Sequence, residues 1–221
     1  MAVEPKQLPT PLTALDVMSD APVIPVIVLN NVSDAVPMAQ ALVAGGVRML
    51  EVTLRTPQAL ACIEAIARDV PEAVVGAGTV RTAADAKAAA DAGARFAVSP
   101  GFTEKMAQAA QDAKLPLLPG VATSSEVMMA REAGFDHLKF FPAMQAGGIP
   151  MLKAWQGPFF DVKFCPTGGV SPSNAAEFLA LSNVICVGGS WLVPADVVAA
   201  KDWAHITRLA WDTALLRPRN S

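Results

Sequence analysis

Lys139 lies inside an apolar run, His137-Leu138-Lys139-Phe140-Phe141-Pro142, with no carboxylate beside it in sequence. Taking an ammonium out of water disfavours its charged form and favours the neutral amine, which attacks carbonyl carbons. A lysine stem can also carry its head back to water from a strand end, so the run alone leaves two readings open. A second polar interruption is Met49-Leu50-Glu51-Val52-Thr53-Leu54-Arg55. Alternate side chains of a strand share a face, which groups Glu51, Thr53 and Arg55 against Leu50, Val52 and Leu54. Lys139 and Phe141 alternate with Leu138 and Phe140 in the same way. An amine, a carboxylate and a guanidinium on interior faces suit a 2-oxo acid. The amine forms an imine with the keto carbon, the carboxylate moves protons, and the guanidinium holds the substrate carboxylate in a bidentate fork. A self-satisfied ion pair between Glu51 and Arg55 is the competing structural reading.

Groups this far apart in sequence need a scaffold that gathers strand ends. Short β-rich runs at 23–29, 49–55, 73–79, 96–100, 115–119, 137–142, 162–167 and 184–188 alternate with helical patterns at 34–44, 57–68, 82–92, 103–113, 124–133, 171–180 and 195–216. A less regular helical segment spans 147–157. Several of these helices open on Ser or Thr and close on Gly, as caps require. Eight such βα units in 221 residues predict an α/β protein, a closed (β/α)8 TIM barrel of one domain, with an open doubly wound sheet as the competitor. Both architectures put the site at the C-terminal ends of the strands. The expected boundaries are an N-terminal extension over 1–22 with a short helix, the barrel over 23–216, and a tail over 217–221.

The composition narrows the function classes. A hydrophobic content of 52% supports a large core, and a net charge of −3 offers no basic footprint for nucleic acid. No apolar run is long enough to span a bilayer, and the chain does not open with a basic stretch leading into an apolar one. Cys62, Cys165 and Cys186 are far apart and sit in apolar segments, which predicts buried free thiols and a reducing cytoplasm. Neither histidine suits acid–base work: His137 opens its strand and His205 falls in the last helix, so proton transfer defaults to a carboxylate. No His/Cys/Asp/Glu grouping has ligand spacing, and the sequence requires no metal or other cofactor. A magnesium ion on one or two carboxylates would leave no such mark.

Thr167-Gly168-Gly169-Val170-Ser171 follows the seventh strand, and Gly188-Gly189-Ser190 follows the eighth. Barrels commonly bind phosphate in these two loops, where glycine lets backbone N–H groups approach an anion and serine adds a donor. Gly76-Ala77-Gly78-Thr79 and Ser99-Pro100-Gly101 close two other strands, with ordinary turn chemistry as their alternative reading.

These segments together resemble the 2-keto-3-deoxy-6-phosphogluconate (KDPG) aldolase family, the lysine-dependent aldolases of the Entner–Doudoroff route. The resemblance runs through GGVRMLEVTLRT, VVGAGTV, SPG, LKFFPA, FCPTGGVSP and CVGGSWLVPAD, from about residue 23 to 214. It implies Lys139 as the Schiff-base lysine, Glu51 as the proton acceptor and donor, and Arg55 and Thr79 as ligands of the pyruvate carboxylate. Gly168, Gly169, Gly189 and Ser190 match phosphate-binding positions, Pro100 and Phe141 match substrate contacts, and Thr167 matches a position tied to stereoselectivity. The implied reaction cleaves 2-dehydro-3-deoxy-6-phosphogluconate to pyruvate and glyceraldehyde 3-phosphate, without a metal, in a cytoplasmic homotrimer. Cleavage of 4-hydroxy-2-oxoglutarate or of the galactonate epimer, and a non-catalytic metabolite-binding barrel, are the alternatives. One departure stands out: many relatives carry an acidic residue where this chain has Met144.

Overall fold

The structure is a computed structural model that describes residues 9–216. Residues 1–8 of the expected extension and the expected tail at 217–221 lie outside the described residues. Strands and helices alternate. The strands are β1 (Val23–Ile27), β2 (Met49–Thr53), β3 (Val74–Gly78), β4 (Ala97–Val98), β5 (Leu117–Leu118), β6 (Gly120–Val121), β7 (His137–Phe140), β8 (Lys163–Pro166) and β9 (Val187–Gly189). The helices are α1 (Ala14–Ser19), α2 (Ala35–Ala44), α3 (Ala59–Asp69), α4 (Ala83–Asp91), α5 (Glu104–Asp112), α6 (Ser124–Glu132), α7 (Gly148–Trp155), α8 (Ala175–Leu179), α9 (Ala195–Ala199) and α10 (Trp203–Thr213). Thr13, Thr82 and Thr123 cap α1, α4 and α6 through reciprocal capping boxes with Asp16, Asp85 and Glu126, which fixes where each helix begins.

Every strand pairing is parallel. The strands form one sheet in the order β5-β4-β3-β2-β1-β9 and another in the order β6-β7-β8. Two features corrected the expectation of eight uniform strands. The fifth run is divided into β5 and β6 by Pro119, which has no N–H to donate to a ladder. Between β8 and β9 only the isolated bridges Phe164↔Val184 and Thr167↔Gly188 form. The expected single helix over 195–216 is likewise two helices, because Lys201 takes a positive φ of 56° and Asp202 caps a new helix through His205 N.

Alternation sorts the side chains into two layers. Leu50 and Val52 of β2, Val75 and Ala77 of β3, Leu138 and Phe140 of β7 and Phe164 of β8 pack with the helices. The opposite face gathers Ile24, Met49, Val74, Phe96, Val98, Leu118, Cys165 and Cys186 into a second cluster, joined by Leu12, Val17 and Met18 from the N-terminal segment. Helix α1 therefore closes the foot of the inner face, and the polar residues lie above it, towards the strand ends. His137 marks the foot: it pairs with Asp136 and lines a cavity of about 490 Å³ beside residues 11–14. Cys62, Cys165 and Cys186 are all buried and free, as the sequence predicted. Burial pushes the Cys186 thiol well up, reinforced by hydrogen bonding to Cys165, that thiol's charge and the charge of Glu51.

Candidate active site

Lys139 sits at the middle of β7, its backbone N–H donating to Pro119 O at 2.9 Å and its Cα in register with Gly120 on one side and Cys165 on the other. Its side chain points away from Leu138 and Phe140, which the helix layer takes. The amine does not reach back to water: Lys139 is 4% exposed. Its Nζ donates to Glu51 Oε1 at 3.3 Å and stands 5.2 Å from the centroid of the Phe141 ring. Glu51 is 3% exposed and sits across the inner face on β2. The structure thus brings together two residues 88 apart in sequence and excludes the Glu51–Arg55 ion pair as the partner arrangement.

Arg55 does not join them in the interior, which corrects the reading that Glu51, Thr53 and Arg55 form one buried trio. Strand β2 ends at Thr53, and Arg55 N turns back to Thr53 O, so its guanidinium reaches the exposed rim. Thr53 is buried and donates to Ile27 O at 2.8 Å, a link between strands. Arg55 Nε donates to Thr79 Oγ1 at 3.1 Å, so this pair stands at the mouth above Glu51. A guanidinium at the rim can hold the carboxylate of a 2-oxo acid, and the lysine beneath it, 4% exposed, can attack the keto carbon once its amine has given up a proton.

Thr79 is held in the left-handed region, with φ of 59°. For a β-branched residue this is an outlier, and such strain, on the order of 1–3 kcal/mol, persists where the surroundings demand it. Thr79→Asn, which tolerates that backbone better, should therefore raise Tm by about 2–4 °C for each kcal/mol relieved. Calorimetry checks it; an unchanged or lower Tm would contradict it.

At the far side of the mouth, Gly168 and Gly169 adopt φ of +100° and +76°, which the loop after β8 needs to turn sharply. Asn174 secures that loop, donating to Gly169 O at 3.1 Å and accepting from Ser171 N at 2.9 Å. Met144 lies against it: a Cβ on Gly169 would stand 2.6 Å from Met144 Cγ, and Met144 N donates to Gly168 O. The chain's departure at Met144 thus sets the wall of this loop. Gly189 ends β9 with Trp191 filling the space a side chain would take, and Ser190 follows it, exposed. Thr167 is buried at the end of β8. Pro100 and Phe141 are half-buried at the ends of β4 and β7.

Ser99, which the sequence marked only as part of the turn Ser99-Pro100-Gly101, is 1% exposed, donates to Gly101 O and accepts from Gly120 N, tying the loop after β4 to the start of β6. Its place beside Pro100-Gly101 was the available signal. Among the described residues, no three His, Cys, Asp or Glu side chains gather as a ligand set.

A curled parallel sheet that buries an amine against a carboxylate just below its strand ends has the geometry of the lysine-dependent carbon–carbon lyases. Comparison with known proteins agrees and goes further: the model of the KDPG and KHG aldolase family matches residues 15–209, and the chain belongs to that family. The KHG/KDPG aldolase of Escherichia coli K12 is 53% identical over 198 residues, covering 90% of this chain and 93% of that protein. The 2-dehydro-3-deoxy-phosphogluconate aldolase of Pseudoalteromonas atlantica is 51% identical over 199 residues, covering 90% and 93%. The KDPG aldolase of Legionella pneumophila superposes with a TM-score of 0.89 at 49% identity, covering 91% of this chain and 98% of that one; its crystals hold pyruvate captured at low pH as a covalent carbinolamine.

Proposed function

We infer that the protein is a Schiff-base aldolase that cleaves 2-dehydro-3-deoxy-6-phosphogluconate to pyruvate and glyceraldehyde 3-phosphate. The observation that carries this reading is the 3.3 Å contact between buried Lys139 and buried Glu51, in a chain about half identical to proteins of that activity. Glu51 is placed to take the proton that Lys139 must lose before it attacks the C2 ketone. The resulting carbinolamine loses hydroxide as water, with the proton supplied by Glu51, and becomes an iminium. Glu51 then removes the C4 hydroxyl proton, the C3–C4 bond breaks, and its electrons flow into the iminium to give an enamine as the aldehyde leaves. Protonation of the enamine at C3 and attack of water at the imine carbon release pyruvate and the free amine.

Arg55 and Thr79 hold the pyruvate carboxylate in this scheme, with Pro100 and Phe141 lining the substrate's path. Gly168, Gly169, Gly189 and Ser190 receive the phosphate, and Thr167 sets the stereochemistry at C4. The fold behind it is a single closed (β/α)8 barrel over 23–216, its two sheets continuous through Pro119 and the bridges from β8 to β9, with 1–22 as an extension and 217–221 as a tail. The working form is a cytoplasmic homotrimer; exposed Val28, Val32 and Trp211 leave apolar surface for partner copies, and light scattering reads the mass directly. No described helix is long and apolar enough to cross a membrane.

A second reading, 4-hydroxy-2-oxoglutarate cleavage, is favoured by the double name of the Escherichia coli relative, and belongs here as a side activity. Steady-state rates on the two epimeric phosphates and on 4-hydroxy-2-oxoglutarate decide the ranking. The gluconate-derived phosphate should lead the unphosphorylated substrate in kcat/KM by at least about a hundredfold, since a site built for a polar group discriminates strongly against its absence. Equal values would overturn the assignment of the phosphate loops.

A further inference from the structure

On the inner face, β3 presents Val74, Gly76 and Gly78, so two of its three positions carry no side chain. Neighbours fill the space. A Cβ on Gly76 would stand 2.5 Å from three atoms of the Phe96 ring, and a Cβ on Gly78 would stand 2.3 Å from Glu51 Oε1, 2.6 Å from its Cγ and 2.9 Å from its Cδ. The arrangement recurs at Gly188, where a Cβ would lie 2.2 Å from Thr167 Oγ1, 2.9 Å from its Cγ2 and 3.0 Å from its Cβ. Neither Gly78 nor Gly188 has a positive φ. Their backbone does not call for glycine; the side chain opposite does.

Register explains the first contact. Glu51 is paired at Cα with Gly76, and Thr53 with Gly78. The Glu51 side chain therefore leans one pleat towards the C-terminal end of β3, into the hollow at Gly78, and there its Oε1 meets Lys139 Nζ. Thr167 is paired with Gly188 itself, so its hydroxyl rests directly on the missing side chain.

We propose that Gly78 and Gly188 are positioning residues, the first seating Glu51 against Lys139 and the second seating Thr167 in the wall of the site. This rests on the proposed roles of Lys139, Glu51 and Thr167. A methyl group at 78 overlaps Cγ as well as the carboxylate, so turning the carboxylate alone does not clear it, and the whole side chain must leave the lysine. A methyl group at 188 pushes the Thr167 hydroxyl into the substrate's space.

Gly78→Ala should lower kcat and kcat/KM together, by about tenfold to a hundredfold, less than outright loss of a positioned proton-transfer group because Glu51 is displaced and not removed. Gly188→Ala should leave the borohydride-trapped pyruvate adduct at wild-type yield and change the kcat/KM ratio between the two epimeric phosphates. Should Gly78→Ala not fold, thermal melts of Gly78→Ala/Glu51→Ala against Glu51→Ala decide. A double variant as stable as Glu51→Ala supports the proposal, because the atoms the methyl meets are gone; an equally unfolded one overturns it. A wild-type kcat in Gly78→Ala, or an unchanged epimer ratio in Gly188→Ala, also overturns it. Failure of the underlying imine reading is separate, since wild-type protein would then give no adduct with pyruvate.

Discussion

Lys139→Ala should lose turnover by on the order of 10⁴-fold or more, the range seen when an enzyme loses the nucleophile of its covalent intermediate. It should also lose the adduct that borohydride fixes when wild-type protein is incubated with pyruvate. The expectation follows from position. Within the inner face Lys139 is the amine paired to a buried carboxylate, and among the described residues no other amine stands there to take over imine formation by the same route. Removing it has a second consequence. Glu51 is left 3% exposed with no cation opposite, and breaking one side of a buried ion pair costs about 3–5 kcal/mol. Inactivity alone could then report unfolding. The variant Lys139→Met/Glu51→Gln separates the two, because it removes both charges and keeps the volumes. It should melt at least as high as either single variant while remaining unlabelled by pyruvate and borohydride. Labelled peptide at any residue other than Lys139, or a folded Lys139→Ala that still turns over, would end the assignment.

The strand-and-helix rhythm was legible because each layer asks for a distinct pattern. Leu138 and Phe140 face helices, Lys139 does not, and a period of two records the difference. Helix starts were legible through Thr82 and Thr103, whose hydroxyls accept from the third helical residue, whereas α6 is capped by Thr123, one residue before the Ser124 on which the sequence pattern opened that helix. The division of the fifth strand was less so. A proline in a run of leucines marks a strand end as readily as an interruption, and only the pairing of Leu117 with Ala97 and of Gly120 with Lys139 shows that both sides of Pro119 are strand. Arg55 was misjudged for a related reason. Alternation gives the face a residue would occupy if the strand continued, and it says nothing of where the strand stops. Glu51 and Lys139 were assigned interior faces correctly, but their contact depends on how far each side chain leans. That lean is set by Gly78 on the neighbouring strand, a long-range packing fact that a linear pattern does not carry.

Glu51→Gln is the second large effect, about a hundredfold or more in kcat, the usual contribution of a positioned general acid–base group. The substitution is nearly isosteric. The new carboxamide would still fill the hollow at Gly78 and could still accept a hydrogen bond from Lys139, so the shape of the site should change little. What it cannot do is take a proton. The deuterium content of pyruvate makes the distinction visible: wild-type protein should exchange the methyl protons of pyruvate with D2O through the enamine, and Glu51→Gln should slow that exchange as much as it slows cleavage. Proton magnetic resonance follows it without any aldehyde present, which isolates proton transfer at C3 from bond breaking. If the variant exchanged the methyl protons at the wild-type rate and lost only cleavage, the C3 proton would have to move through another group. Glu51 would then serve the C4 hydroxyl alone. If both rates stayed at wild type, the carboxylate would be no more than a counter-charge for Lys139, and the 3.3 Å contact would be structural.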